Sequence, residues 1–318
     1  MPTQRETNPY HNTDSNKRYF TYDYYLRKTF GGKCLKIPLD IGCTCPNIDG
    51  SRGRGGCIYC SSRGSGDFAG EASLSIAEQC EKGKQALSAK WKVDRIIPYF
   101  QAHTNTYAPI DYLRDKFTQA LSVENVVAVN IATRADCLGE EVLTLLAEFA
   151  EKTILTVELG LQSTNDITAE RINRCHTYSE FLEGYNALRE ASDKIRIGVH
   201  IINGLPKEGN EDMEQTAKDV AKLMPNEVKI HLLHVISGTK LAQMYANGEY
   251  TPMSFDDYVR IVARQITLMP PETVIGRLTG DGAKETLLAP LWSLRKTNVI
   301  NSIDKLMYSE NLWQGKNF

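Results

Sequence analysis

Six apolar runs alternate with helical patterns along most of this chain. The runs are near-continuous rather than alternating, which is typical of strands buried on both faces of a parallel sheet. They cover residues 34–41, 94–101, 125–132, 153–161, 194–202 and 227–235. The helical patterns between them cover residues 73–90, 109–122, 139–151, 179–192 and 210–224. The pattern predicts an α/β fold, and six such strands suit a partial barrel as well as a doubly wound sheet.

The composition narrows the class of protein. With 318 residues, the chain can form one large domain, with or without an appendage. The net charge of −2 excludes a whole-molecule basic field that would attract nucleic acid, although local basic patches remain open. The N-terminus lacks the apolar core of a signal peptide, and no apolar run reaches membrane-spanning length. We therefore expect a cytoplasmic protein, in which clustered cysteines bind metal more often than they form disulfides.

Four of the eight cysteines lie in one segment, CTCPNIDGSRGRGGCIYC, at residues 43–60. Cys57 and Cys60 form a C-x-x-C pair, and Cys45 precedes them across a loop rich in glycine and arginine. Gly55 and Gly56 predict a tight turn that lets the backbone approach a bulky group. Cys43 would share a face with Cys45 if the chain is extended there.

Three kinds of site fit this cluster. A structural zinc site would use all four thiolates, although the C-x-C spacing departs from the usual knuckles. A redox C-x-x-C pair leaves Cys45 and the glycine loop without a role. An iron–sulfur cluster held by three thiolates, with one iron open for a ligand, fits this segment best. Cysteine spacing alone does not separate the iron–sulfur interpretation from zinc.

Polar residues interrupt the predicted strands. If they face the inside of a barrel, they line a pocket near its C-terminal mouth, where barrel enzymes build their sites. The alternative is that each is a buried polar group with its hydrogen bonds satisfied. His200, His231 and His234 lack the helical spacing of a typical zinc site. The interrupting residues are Asn130, Glu158, His200, Lys229 and His231.

Cysteines in the loop after the first strand of such a chain resemble those of the radical SAM superfamily, and Tyr59 matches its aromatic residue before the last cysteine. Further stretches resemble the branch that contains the Elongator catalytic subunit. They are ATRADC (132–137), VELGLQS (157–163), INRCH (172–176), VHIINGLPKEG (199–209) and HVISGTKL (234–241). Residues 38–60, 99–109 and 277–292 resemble the stand-alone bacterial proteins of the YhcC and YtqA type.

The resemblance implies a partial (β/α)6 TIM-like barrel with a short C-terminal extension, and it assigns roles to single residues. It implies that Cys45, Cys57 and Cys60 bind a [4Fe–4S] cluster, with S-adenosylmethionine on the fourth iron, whereas Cys43 is a bystander. Cys175 stands where relatives carry glycine. Contacts with S-adenosylmethionine are implied for Tyr59, Ala102, His103, Thr104, Gln162 and Arg174.

The implied reaction is reductive cleavage of S-adenosylmethionine to a 5′-deoxyadenosyl radical, which abstracts hydrogen from a substrate carbon. The barrel must then exclude water. A flavodoxin or ferredoxin is the expected electron donor. Candidates for the substrate pocket are Arg134, His200, Lys229 and His231.

The resemblance also implies a substrate: the C5 side chain of the tRNA wobble uridine, for example carboxymethylaminomethyl trimmed to aminomethyl. We expect no acetyl-CoA-binding domain, because the chain ends soon after the last motif. The alternatives are a radical SAM enzyme acting on a small molecule or peptide, and a non-catalytic, zinc-stabilised RNA-binding protein. The expected divisions are an N-terminal extension at 1–30, the core barrel at 31–250 and a helical extension at 251–318.

Overall fold

The computed structural model describes residues 8–64, 66–88, 93–280 and 282–318. Its strands are β1 Leu35–Leu39, β2 Ile96–Phe100, β3 Ala128–Thr133, β4 Ile154–Gln162, β5 Arg196–Asn203, β6 Glu227–Leu232, β7 Val235–Ile236, β8 Val274–Arg277 and β9 Leu287–Ala289. Seven of them form one parallel sheet in the order β1-β2-β3-β4-β5-β6-β8. The other two, β7 and β9, pair antiparallel.

Helices connect these strands. They are α1 Tyr22–Phe30, α2 Pro46–Asp49, α3 Ile76–Ser88, α4 Ile110–Leu121, α5 Glu140–Ala150, α6 Asp166–Arg171, α7 Tyr178–Ala191, α8 Asn210–Lys222, α9 Lys240–Ala246, α10 Phe255–Leu268 and α11 Lys296–Ser309. Short 3₁₀ turns lie at Ala135–Cys137 and Leu291–Leu294. None of the helices built from the described residues combines the length and apolar character needed to cross a bilayer.

The large sheet curls into a half-barrel, which confirms the predicted fold class. Each of the six predicted apolar runs overlaps one strand from β1 to β6, and the five predicted helices correspond to α3, α4, α5, α7 and α8. Parts of some predictions lie outside the described residues: positions 1–7, the end of the first predicted helix at 89–90, and position 281 in the C-terminal motif.

The outer face of the half-barrel is the apolar core. On α5, Leu145, Leu146 and Phe149 are buried, as the helical spacing of apolar residues predicts. Phe117 of α4 packs edge-on against Phe149, with ring centroids 5.8 Å apart, and against Phe100 of β2 at 5.0 Å. Burying such a side chain contributes about 2 kcal/mol. Because the helices cover this face, the inner face of the sheet is left for polar residues.

A seventh strand extends the sheet beyond the six predicted ones. Strand β8 lies parallel to β6 and comes from the region predicted to be a helical extension. The backbone N–H of Ile275 donates to the carbonyl of Phe20, 2.8 Å away, and the Phe20 N–H donates to the side chain of Gln314, also at 2.8 Å. Residues near both ends of the chain therefore complete this edge of the sheet. The predicted divisions at residues 30 and 250 stay predictions.

Candidate functional site

An ion network fills the interior of the half-barrel around Glu158 of β4, which is fully buried. Its Oε1 accepts hydrogen bonds from Lys36 Nζ at 2.6 Å and Asn130 Nδ2 at 2.8 Å. Its Oε2 lies 2.9 Å from His200 Nε2 and accepts a hydrogen bond from Lys229 Nζ. Five strands, β1, β3, β4, β5 and β6, thus contribute one side chain each to a single cluster.

The charges in this cluster compensate one another. Burial alone would raise the pKa of Glu158, but the ammonium groups of Lys229 and Lys36 lower that pKa well below its usual value. Burial lowers the pKa of Lys229 to about 7. Burial, together with the charge of Lys229, lowers the pKa of His200 to about 4, so its imidazole is neutral. The Tyr99 ring lies between the two lysines, with centroid distances of 4.1 Å to Lys36 Nζ and 4.7 Å to Lys229 Nζ.

The structure therefore brings together four of the five polar strand residues: Asn130, Glu158, His200 and Lys229. The fifth, His231, lies beside them, with its ring centroid 5.2 Å from that of His200. Sequence reasoning missed Lys36 and Tyr99 as members of this cluster. The available signal for Lys36 was a charged residue inside an apolar run.

The cysteine loop lies after β1. Cys45 immediately precedes α2, and the Cys60 N–H donates to the Cys57 carbonyl in a turn at 3.0 Å. Gly55 and Gly56 both have positive φ, 80° and 72°, a region that glycine adopts without steric cost. The tight turn predicted at this glycine pair is present.

Asn47 fastens the cysteine loop to the segment after β4. Its buried Nδ2 donates to the carbonyls of Asn173 and Arg174, at 2.8 and 2.9 Å, and lies 3.5 Å from Cys57 Sγ. The N–H of Ile58 donates to the carbonyl of Ile172 at 3.1 Å. These bonds place the thiols next to the side chain of Arg174.

The Cys57 thiol lies near two positively charged arginine side chains. A hydrogen bond from Cys60 and the charges of Arg174 and Arg134 lower the pKa of Cys57 to about 6. Because Cys60 donates that bond, its own pKa is raised. In contrast, Cys43 packs in the main core, where burial raises its pKa to about 12.

The thiols do not form a single-ion site. Among the residues that the structure describes, no group of three His, Cys, Asp or Glu side chains could hold one metal ion. A zinc site needs its thiolates at about 2.3 Å from one point. Thiolates that bind different irons of one cluster do not have to converge on one point in this way.

Gln162 and Arg174 meet at the end of β4. An Arg174 guanidinium N–H donates to the Gly160 carbonyl, and a Cβ added to Gly160 would lie 2.7 Å from Gln162 Nε2. Arg174 is 3% exposed, and its Nε has no hydrogen-bond partner in the described part of the chain. A buried donor of this kind is typical of a site that a ligand completes.

Backbone strain concentrates around the same place. Four non-glycine residues near the cysteine loop have left-handed backbones, with φ of 59° at His103, 73° at Gln162, 56° at Asn173 and 59° at Cys175. Such conformations cluster at functional sites, where surrounding contacts enforce them. At Cys175, a glycine would adopt this conformation without steric cost.

The segment after β2 lies beside the cysteine loop. The Thr104 N–H donates to the Thr44 carbonyl at 3.2 Å, and Ala102 is fully buried. A Cβ added to Gly66 would lie 2.6 Å from the Cβ of Ala102, so the loop after Cys60 crosses this segment closely. The implied contacts of Tyr59, Ala102, His103 and Thr104 with S-adenosylmethionine stay predictions.

Arg134 lies beside Arg174 and binds its backbone carbonyl. Its guanidinium makes two hydrogen bonds of 2.8 Å to Asp136 and donates to the Arg174 carbonyl at 2.9 Å. His176 Nδ1 lies 3.3 Å from the same aspartate. Arg134 therefore positions the backbone of Arg174. The prediction that it also lines the substrate pocket stays a prediction.

Comparison with known proteins now decides the family. Residues 48–220 match the family model described as the Radical SAM superfamily, and residues 225–309 match that of the Radical_SAM C-terminal domain. The chain belongs to the radical SAM superfamily. The family predicted from the sequence is thus confirmed.

Relatives of this radical SAM enzyme include proteins of similar length. It is 45% identical to YtqA of Bacillus subtilis, over 98% of this chain and 97% of that one. It is 33% identical to YhcC of Escherichia coli, over 89% and 90%. In fold it is similar to Methanocaldococcus infernus Elp3, with a TM-score of 0.68, 18% identity, and coverage of 88% of this chain and 64% of that one. These matches confirm the Elongator-like branch.

As a radical SAM enzyme, the protein uses a [4Fe–4S] cluster and S-adenosylmethionine, as predicted. The residues at the barrel mouth fit both cofactors. The Cys57 thiol lies near the guanidinium groups of Arg174 and Arg134, and the buried Nε of Arg174 has no hydrogen-bond partner among the described residues.

Proposed function

We propose that Cys45, Cys57 and Cys60 bind the [4Fe–4S] cluster and that Cys43 does not. The low pKa of Cys57 supports this proposal, because the thiolate is the form that binds metal. The burial of Cys43 in the apolar core supports the exclusion of the fourth cysteine. When bound, the reduced cluster supplies the electron that cleaves S-adenosylmethionine.

Gln162 and Arg174 then bind S-adenosylmethionine. The observation that carries this assignment is the buried Arg174 Nε without a partner among the described residues, which suits the carboxylate of the methionine end. Tyr59 and the segment Ala102, His103 and Thr104 complete the set of proposed contacts. A flavodoxin or ferredoxin is the proposed electron donor.

The proposed substrate is the C5 side chain of the tRNA wobble uridine, trimmed from carboxymethylaminomethyl to aminomethyl. Removal of hydrogen and a second electron at the methylene carbon, followed by addition of water, breaks the C–N bond and releases the two carbons as glyoxylate. The two electrons removed balance the two that are consumed when S-adenosylmethionine becomes methionine and 5′-deoxyadenosine. Two kinds of relatives support this substrate. One is a tRNA uridine(34) acetyltransferase of Methanocaldococcus jannaschii, 27% identical over 49% of this chain and 28% of that one. The other is Elongator complex protein 3 of Homo sapiens, 28% identical over 56% and 31%.

Two measurements test the proposal in sequence. The protein reconstituted without oxygen should hold about four irons and, once reduced, release 5′-deoxyadenosine from S-adenosylmethionine. A colourless protein with one zinc would contradict it and favour the RNA-binding alternative. Next, tRNA nucleosides from a deletion strain should show more carboxymethylaminomethyluridine and less aminomethyluridine, restored by the wild type but not by Cys57→Ala. Unchanged tRNA would favour a small-molecule or peptide substrate.

A further inference from the structure

His231 of β6 and His234, just after that strand, both lie next to Gly280, which follows β8. A Cβ added to Gly280 would lie 3.1 Å from Cε1 of His234 and 3.7 Å from Nδ1 of His231, so both imidazoles border the same buried glycine. His200 lies behind them, with its ring centroid 5.2 Å from that of His231. This group of side chains is therefore continuous with the barrel interior.

Both imidazoles carry a polar atom without a partner. The Nε2 atoms of His231 and His234 are buried and make no hydrogen bond within the ranges that the structure covers. Leaving a buried donor or acceptor unpaired is costly, so two neighbouring examples require an explanation. A ligand that hydrogen-bonds to both atoms is the simplest one.

Arg277 of β8 lies opposite Lys229 of β6, the strand that also carries His231. Burial, followed by the charges of Lys296 and Arg277, lowers the pKa of His234 to about 4. Burial also lowers the pKa of His231, together with the neighbouring His200, Arg277 and Lys229. Both imidazoles are therefore neutral and can each donate one N–H, while the cations beside them attract negative charge.

We propose that His231, His234, Arg277 and Lys296 form an anion subsite that binds the carboxylate of the substrate side chain. This inference rests on the proposed function, since a carboxymethylaminomethyl group ends in a carboxylate. Continuity with the barrel interior favours a group on the modified nucleoside over a backbone phosphate. The subsite would thus select the charged side chain before it is trimmed.

The test uses two anticodon stem-loops, one carrying carboxymethylaminomethyluridine and the other its uncharged carboxamide. The reconstituted Arg277→Gln/Lys296→Gln double variant should raise KM for the carboxylate substrate by about tenfold to a hundredfold. KM for the carboxamide should stay the same. Lys305→Gln, on the same helix as Lys296 but exposed, is the matched control and should change neither value. An equal loss for both substrates would overturn the proposal in favour of a phosphate contact.

A second readout separates this subsite from the proposed function. Imidazole nitrogen signals of ¹⁵N-histidine-labelled holoprotein are followed as acetate or acetamide is added. Acetate should shift the His231 and His234 signals in the wild type and not in the double variant, and acetamide should shift neither. That result supports the subsite even if the wild type modifies neither stem-loop. Failure of the wild type to modify them refutes only the proposed tRNA substrate. Absence of an acetate shift, with KM unaffected by the double substitution, overturns the subsite alone.

Discussion

Glu158 in the interior of the half-barrel and the nitrogens near its mouth differ in how their hydrogen bonds are satisfied. Each carboxylate oxygen of Glu158 has two partners, although Oε1 of the nearby Glu227 has none in the described chain. Near the mouth, Arg174 Nε and the Nε2 atoms of His231 and His234 are buried without a partner among the described residues. The network around Glu158 is therefore complete by itself, whereas the nitrogens near the mouth are free to bind the proposed ligands. Substitutions in the interior should cost stability, and substitutions at the mouth should cost ligand binding.

The largest effect is expected for the cysteines at the mouth. Cys45→Ala, Cys57→Ala and Cys60→Ala should each abolish the brown iron–sulfur absorption and most of the bound iron, because a cluster needs all three thiolates. Cys43→Ala, whose side chain packs in the core, is the control and should keep its iron. Iron analysis after anaerobic reconstitution checks both. Loss of iron in Cys43→Ala would show that four thiolates are needed.

A substitution in the interior of the half-barrel should lower the stability of the protein. Glu158→Gln removes the carboxylate that pairs with both Lys36 and Lys229 and leaves Lys229 only the longer contact of 3.9 Å with Glu227, so the free energy of unfolding should fall by about 3–5 kcal/mol. Urea unfolding of the metal-free protein measures it. Glu190→Gln, at an exposed position, should change little. Adding Lys229→Met to Glu158→Gln should recover part of the loss. A variant as stable as the wild type would mean that the network is not structural.

A substitution at Arg174 tests the proposed S-adenosylmethionine site while it keeps the positive charge of the side chain. Arg174→Lys lacks the planar fork of donors, so its affinity for S-adenosylmethionine should fall by about tenfold to a hundredfold, while iron content stays unchanged. Arg171→Lys, in the same segment, is the matched control, since its guanidinium donates to the Pro206 carbonyl at 2.9 Å. Equilibrium binding to the reconstituted protein gives both values. Equal affinities would remove Arg174 from the proposed site.

The smallest effect concerns backbone strain at Gln162. Gln162→Gly relieves a left-handed conformation, so the free energy of unfolding should be unchanged or up to about 1 kcal/mol higher, while S-adenosylmethionine affinity falls. Met224→Gly, with φ of 52° and remote from the cysteine loop, should show the same stability change without the loss of affinity. Unchanged affinity in Gln162→Gly would separate the strain from ligand binding.

Whether an element could be predicted from the sequence depends on whether local or long-range contacts stabilise it. Strands β1 to β6 were predictable because each buries a near-continuous apolar run, whereas β8 has four residues and depends on its pairing with β6. The meeting of Gln162 and Arg174 could be anticipated only from the resemblance. The role of Lys36 could not, because a lysine inside a barrel becomes favourable only through the carboxylate that another strand supplies.

The pairing of Phe20 with Ile275 and Gln314 has a consequence for synthesis. The ribosome makes residue 20 more than 250 residues before Ile275 and Gln314, its two hydrogen-bonding partners. Until β8 has been made, the segment before α1 has no partner on the sheet, and the edge of β6 is open to other chains. Because this closure joins residues so far apart in the sequence, we expect it to form late in folding.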